Sequence, residues 1–109
     1  MSRDNAYLRD ILNAAQAIRR FVAGISKEQF LANEEKYEAV NRKFEIIGEA
    51  SRNVPEAVRI QHPEVPWKEM AGMRDRLIHA YFGVDYHLVW TTIKSRLPTA
   101  KDAIRKISM

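Results

Sequence analysis

The most reactive group of side chains in the sequence lies between positions 74 and 81, where Arg74, Asp75 and His79 follow one another closely. A histidine imidazole, with an ordinary pKa of about 6.5, can accept or donate a proton near neutral pH. Asp75 precedes His79 by four residues, so on a helix its carboxylate can hydrogen-bond the imidazole and select one tautomer. Arg74 adds a permanent cation that suits a phosphate group. These residue types indicate acid–base chemistry beside a bound phosphate.

The spacing of Arg74 and His79 is awkward for a single helix. Five residues correspond to about 140° of rotation around an ideal helix, so the two side chains do not share one narrow face. They can converge through the long arginine side chain, through a local distortion of the helix, or through a second copy of the chain. We interpret this geometry as an indication of a dimer.

The other candidate groups in the sequence are weaker. His62 stands beside a proline in a connection, and His87 falls in the first turn of a predicted helix. Glu45 and Glu49 form a carboxylate pair, but the Glu-x-x-His spacing of di-metal bundles is absent, so no metal site is predicted. Because the sequence has no cysteine, thiol nucleophiles, disulfides and iron–sulfur clusters are excluded.

The composition predicts one globular domain that spans residues 1–109. The chain is 46% hydrophobic and 29% charged, which is ordinary for a globular protein and excludes wholesale disorder. Four glycines and four prolines are too few for a turn-rich β-sandwich. No apolar run approaches the ~20 residues of a membrane span, and the charged N-terminus lacks the apolar stretch of a signal peptide. A cytoplasmic protein without membrane contact is therefore expected.

The charge balance indicates a class of partner. Lysine and arginine number 18 and aspartate and glutamate 14, which leaves a net charge of +4. Eleven of the 18 basic residues are arginine, whose planar guanidinium matches phosphate better than a point charge does. Nucleic acid is therefore a reasonable partner. The plainer interpretation, that this charge only keeps a small protein in solution, stays open at this point.

Four long segments carry apolar residues at three- and four-residue steps, which is typical of helices with one buried face. The residues on these faces are Leu8, Ile11, Leu12, Ala15, Ile18 and Val22 in the first helix, Tyr37, Val40, Phe44, Ile47 and Ala50 in the second, Met70, Met73, Leu77 and Ile78 in the third, and Leu88, Val89, Trp90 and Ile93 in the fourth. No segment shows the alternation of a β-strand. The sequence therefore predicts an all-α protein.

Capping residues divide the chain into these helices. The predicted N-caps are Ser2 or Asp4, Ser26, Asn33 and Asp85, and Gly24 is a predicted helix end. A short helical piece is expected from Pro55 through Ile60, and Pro98 is expected to interrupt the last helix, leaving a kinked extension or a separate helix from Ala100. Short connections favour antiparallel neighbours, so we expect a compact antiparallel bundle of four to five main helices.

The motif Arg74-x-x-x-x-His79-x-Tyr81 resembles the signature of HEPN-domain ribonucleases, and in particular that of the HepT-like toxins. The surrounding sequence agrees with this resemblance over nearly the whole chain. The similar segments are YLRDILNAAQAIRRFVAG at 7–24, FEIIGEAS at 44–51, PEVPWKEMAGMRDRLIHAYFGVD at 63–85 and VWTTIKSRLP at 89–98. The Arg-x-x-x-x-His spacing alone would be weak evidence for this family, because chance matches are common. Pro-Trp before the motif and Tyr-Phe-Gly-Val-Asp after it make the match specific.

The resemblance implies an all-helical homodimer with its active sites in a cleft between protomers, and RNA cleavage that needs neither a metal nor another cofactor. By position, Arg74 and His79 would be catalytic, with Asp75 as polar support and Arg76 as a candidate RNA contact. The resemblance also implies a cognate antitoxin, a minimal nucleotidyltransferase that modifies Tyr81 with AMP.

Two other functions stay open from the sequence. One is a non-catalytic HEPN module that binds a partner nucleotidyltransferase, a nucleotide, or both, and the other is a plain helical dimerisation domain. The presence of Arg74, His79 and Tyr81 favours the ribonuclease over both.

Overall fold

Six α-helices make up the regular structure of residues 3–78 and 83–108, the parts of the chain described in this computed structural model. They are α1 (Arg3–Val22), α2 (Lys27–Leu31), α3 (Glu34–Asn53), α4 (Glu56–Gln61), α5 (Trp67–Ile78) and α6 (Tyr86–Ser108). Four of them, α1, α3, α5 and α6, are substantial, with 20, 20, 12 and 23 residues. No strand occurs in these two ranges, and the prediction of an all-α fold is confirmed.

The predicted caps form the expected hydrogen bonds. At the start of α2 the Gln29 amide donates to Ser26 Oγ at 3.1 Å and the Ser26 amide donates to Gln29 Oε1 at 2.8 Å, which completes a capping box. At the start of α3 the Lys36 amide donates to Asn33 Oδ1 at 3.1 Å. Gly24 follows α1 with φ of +74°, a left-handed conformation that glycine adopts without strain.

The start of α1 differs from the prediction. Asp4, one of the two proposed N-caps, lies inside α1 instead of before it. The other, Ser2, lies outside the described residues.

The last helix also differs from the prediction, because α6 continues through Pro98 without a break. A proline has no amide hydrogen, so the Lys94 carbonyl has no donor four residues later, and this normally disrupts a helix. Packing opposes the disruption, since Ala100 and Ile104 beyond the proline are 4% and 0% exposed in the core. The prediction of a separate helix from Ala100 is therefore wrong, because tertiary contacts keep α6 continuous across Pro98.

The four long helices enclose the core. α3 packs along both α1 and α5, α6 packs along α1, and the short α2 touches α3 and α6. The Cα radius of gyration of 13.8 Å is close to the ~13 Å expected for a compact chain of this length. None of the described helices is both long and apolar enough to cross a membrane.

The predicted apolar faces supply most of this core. Leu12, Tyr37 and Trp90 are only partly buried. Leu88 was expected inside but is 41% exposed, because Val89 and Ile93 direct the adjacent face of α6 into the core. The side chains of Leu77 and Ile78 lie outside the described part of the structure.

Candidate functional site

The candidate motif begins in α5, and buried side chains hold that helix in place. Trp67 at its first position is 9% exposed, and its indole Nε1–H donates to the His62 carbonyl at 3.0 Å. Met70 and Met73, one and two turns further on, are each 9% exposed and belong to the core. These contacts set the position of the next turn, where Arg74 and Asp75 lie.

The structure describes part of the predicted site. Arg74, Asp75 and Arg76 belong to α5, and the Arg76 side chain is exposed to solvent, as an RNA contact requires. The side chain of Arg74 lies outside the described part of the structure, as do residues His79 and Tyr81 entirely. The convergence of Arg74 and His79 therefore stays a prediction.

Asp75 has a partner that the sequence did not suggest. Arg52 Nη2, in the last turn of α3, donates to Asp75 Oδ2 at 2.5 Å. Both side chains are about half exposed, at 47% and 42%, so the pair contributes little to global stability but joins α3 to the helix that carries the motif. A carboxylate has two oxygens and can accept several hydrogen bonds, so this contact is compatible with the predicted bond to His79.

A second ion pair ties α5 to its other neighbour. Arg96 of α6 donates to Glu69, in the first turn of α5, through Nη2 and Oε2. α5 is therefore joined to α3 by one ion pair, through Arg52, and to α6 by another, through Arg96.

The connection after the motif is also constrained by local chemistry. Gly83 has φ of +97°, which a residue with a Cβ adopts only with strain. Two residues later Asp85 Oδ1 accepts a hydrogen bond of 3.2 Å from the Leu88 amide and caps α6, as predicted. The segment that contains His79 and Tyr81 therefore lies between a packed helix and a capped helix.

The other two histidines are not part of this arrangement. His62 precedes α5, and its Nδ1 lies 3.2 Å from Glu64 Oε1, at the end of the helix opposite Asp75. His87 is exposed in the first turn of α6. Within 3–78 and 83–108, no three histidine, aspartate or glutamate side chains are grouped closely enough to hold a metal ion.

Comparison with known proteins identifies a family. The sequence matches the family model described as "Ribonuclease HepT-like" over residues 11–107. A protein of Thermococcus cleftensis named "Probable ribonuclease HepT" is 48% identical over 93% of this chain and 92% of its own length. Two proteins each named "Putative RNase" are similar as well, one of Caldanaerobacter subterraneus subsp. tengcongensis at 43% identity over 98% of this chain and 96% of its own length, the other of Methanocaldococcus jannaschii at 45% over 94% and 88%. No solved structure matches significantly.

Proposed function

Because this chain belongs to the HepT-like ribonuclease family, we propose that it is a metal-independent endoribonuclease toxin that cuts RNA with Arg74 and His79. The observation that carries the proposal is the family match over residues 11–107, which includes the whole Arg74-x-x-x-x-His79-x-Tyr81 motif. The anchoring of α5 by Trp67, and of Asp75 by Arg52, supports it, because a catalytic motif needs a rigid base.

The proposed reaction uses a nucleophile that the RNA itself carries. His79 takes the proton of the 2′-OH, the 2′ oxygen attacks the adjacent phosphorus, and the bond to the 5′ oxygen breaks. The protonated His79 imidazole then gives a proton to the leaving 5′ oxygen, so the products are a 2′,3′-cyclic phosphate and a 5′-OH. Arg74 stabilises the negative charge that develops on the phosphoryl oxygens, and Arg76 is a candidate contact to a neighbouring phosphate.

The direct test is cleavage of RNA by the purified chain in excess chelator. We expect cleavage at an undiminished rate in EDTA, because the proposed acid, base and charge stabiliser are all side chains. The cleaved ends should be cyclic phosphate and 5′-OH, which end-labelling with kinase and phosphatase distinguishes. Loss of activity in EDTA, restored by a divalent ion, would contradict the mechanism. RNA that stays intact under every condition would favour the non-catalytic binding module.

A symmetric homodimer is the proposed active form. The rotation of about 140° between Arg74 and His79 and the family's two-protomer cleft both favour it. A two-fold axis would bring the same basic patch from each chain together where the phosphate binds. Sedimentation at micromolar concentration should give about twice the chain mass of 12.7 kDa. A monomer that still cleaves RNA would exclude a shared active-site cleft.

Arg52 is expected to act on cleavage through Asp75. Because the Arg52–Asp75 pair is half exposed, Arg52→Ala should lower the free energy of unfolding by only ~0–1 kcal/mol. It should lower kcat by roughly 10–100-fold with KM little changed, because misplacing a catalytic group costs about that much. Arg52→Lys, which keeps the charge but loses the planar fork, should recover part of the rate.

Arg42 provides the matched control for this measurement. It also lies on α3 and pairs with a carboxylate, donating to Glu45 Oε2 at 3.0 Å, but this pair is within α3 and does not involve α5. Arg42→Ala should therefore leave kcat within about twofold of the wild type, since surface ion pairs are usually worth little. Equal losses in Arg42→Ala and Arg52→Ala would show that the Asp75 contact has no special role.

The family resemblance also supports a regulatory partner. We propose that a cognate minimal nucleotidyltransferase acts as antitoxin and attaches AMP to Tyr81. Tyr81 is seven residues from Arg74, which on an ideal helix places both on one face. An AMP group there would bring negative charge and bulk to the position where RNA phosphate is proposed to bind.

A further inference from the structure

A basic groove lies between α1 and α6, on a part of the surface that the cleavage motif does not include. Its volume is about 520 Å³. Its floor is apolar, formed by side chains such as Val22, Ile93 and Leu97. Its rim carries four cations and one carboxylate, namely Arg19, Lys94, Lys101, Arg105 and Asp102.

Three of the four cations form a row along one face of α6. Lys94, Lys101 and Arg105 are separated by seven and four residues, so they lie within about 40° of one another around the helix. The row is about 16 Å long at 1.5 Å per residue. Lys94 Nζ lies 4.7 Å from the centre of the Trp90 ring, and this cation–π contact holds the ammonium at one end of the row.

Arg19 faces this row from the opposite wall. It lies in the last turn of α1 and is exposed to solvent, and it lines the same groove as the three cations of α6. The groove therefore has positive charge on both walls and apolar surface between them. A positively charged groove that follows the phosphate backbone is a recurrent feature of proteins that bind single-stranded nucleic acid.

We propose that the groove between α1 and α6 binds the phosphate backbone of single-stranded RNA outside the cleavage site. The choice of RNA as ligand rests on the proposed function, whereas the charge and shape of the groove do not. The cationic row begins about 12 Å along α6 from its first residue, Tyr86, and ends about 28 Å along it. RNA bound there would extend away from the motif along the axis of α6.

Two other grooves on the described part of the chain lack this excess of cations. The shallow groove between α1 and α3 carries Asp10, Glu45 and Glu49 against Arg42 alone. The groove beside α4 mixes three cations with two carboxylates, and one of those carboxylates, Glu69, is paired to Arg96. RNA is therefore expected to prefer the groove between α1 and α6.

The aromatic cluster at the start of α6 is also unsuited to RNA. Tyr86 stacks on Tyr37 with ring centroids 4.1 Å apart. Burial, and then the carboxylate of Glu38, raise the pKa of Tyr86. A raised pKa of this kind reports a partly dry site with negative charge beside it, which would repel phosphate.

The test removes three cations from the groove and measures RNA binding without cleavage. The variant Arg19→Ala/Lys94→Ala/Lys101→Ala is made in a His79→Ala background, and the probe is a fluorescent single-stranded RNA of 20 nucleotides. Binding should weaken roughly 10–100-fold, and the slope of log affinity against log salt should fall by about 2, since each lost phosphate contact on a single strand removes about 0.7. Circular dichroism checks that the helices remain.

The same two helices provide a matched control. Arg9 and Arg20 of α1 and Lys106 of α6 are exposed and do not line the groove. The triple alanine variant at these positions loses the same charge, so it should bind the RNA within about threefold of the parent if the groove is the site. Equal weakening in both variants would overturn the proposal, because net charge and not the groove would then decide binding.

Substrate length separates this proposal from the proposed cleavage. With His79 intact, the groove variant should raise KM for a long RNA roughly 10-fold and leave cleavage of a dinucleotide unchanged, because a dinucleotide is too short to reach the groove. If the chain cleaves nothing, the binding measurement still decides the groove. Unchanged RNA affinity in the groove variant overturns the proposal. If the same variant also fails to bind the antitoxin, the groove is instead a binding site for an acidic protein.

Discussion

His79→Ala is expected to slow RNA cleavage by about 10²–10⁴-fold, the usual cost of removing a general acid or base. Without the imidazole, neither the 2′-OH proton nor the protonation of the leaving oxygen has a group to carry it. Arg74→Ala should cost about 10²–10³-fold, because the charge on the phosphoryl oxygens loses its stabilising partner. Single-turnover cleavage of a defined RNA measures both rates, and growth after expression in cells should recover in both variants.

His87→Ala is the matched control for this experiment. His87 is an exposed histidine in the first turn of α6, and its loss should leave cleavage unchanged. Circular dichroism should show unchanged helix content in all three variants. A folded His79→Ala protein with full activity would remove His79 from the mechanism, and an unfolded one would show that His79 is a core residue.

Co-expression with the cognate nucleotidyltransferase is expected to add AMP to Tyr81 and abolish RNA cleavage. The attached nucleotide adds negative charge and bulk beside Arg74 and so competes with substrate phosphate by repulsion and by sterics. Intact-mass spectrometry should show an increase of one or more AMP units, and that increase should be absent in Tyr81→Phe.

Tyr86→Phe tests whether the modification is specific. Tyr86 lies five residues further along the chain but is packed in the aromatic cluster with Phe30 and Tyr37, so its loss should leave the AMP addition intact. Unmodified protein that is nevertheless neutralised by the partner would show that inhibition works by binding alone. Tyr81 would then be a structural or substrate-contacting residue.

Local signals predicted most of the fold correctly, and tertiary contacts account for the errors. The capping box at Ser26 and the N-cap at Asn33 involve residues three apart, so they can be read directly from the sequence. Pro98 was expected to interrupt α6 and does not, because burial of Ala100 and Ile104 outweighs the lost hydrogen bond. Periodicity also predicted that Leu88 is buried, but Leu88 is exposed. The rotation of α6 about its axis depends on its packing against α1 and α2, which periodicity does not contain.

The site was only partly predictable for the same reason. The residues of the motif are contiguous and could be found by type and spacing, and their roles came from resemblance. Arg52 lies 23 residues before Asp75, so no helical spacing connects the two, and only the packing of α3 against α5 brings them together. The basic last turn of α3 was the one sequence signal that could have indicated a charged contact there.

Pro98 makes the α6 wall of the basic groove different from the α1 wall. It lines the groove, and at this position α6 lacks one rung of its hydrogen-bond ladder. Helices bend most readily where such a bond is missing, and α1, which forms the other wall, contains no proline. The missing hydrogen bond lies between Lys94 and Lys101, so any bend of α6 at Pro98 would change the distance between these two cations.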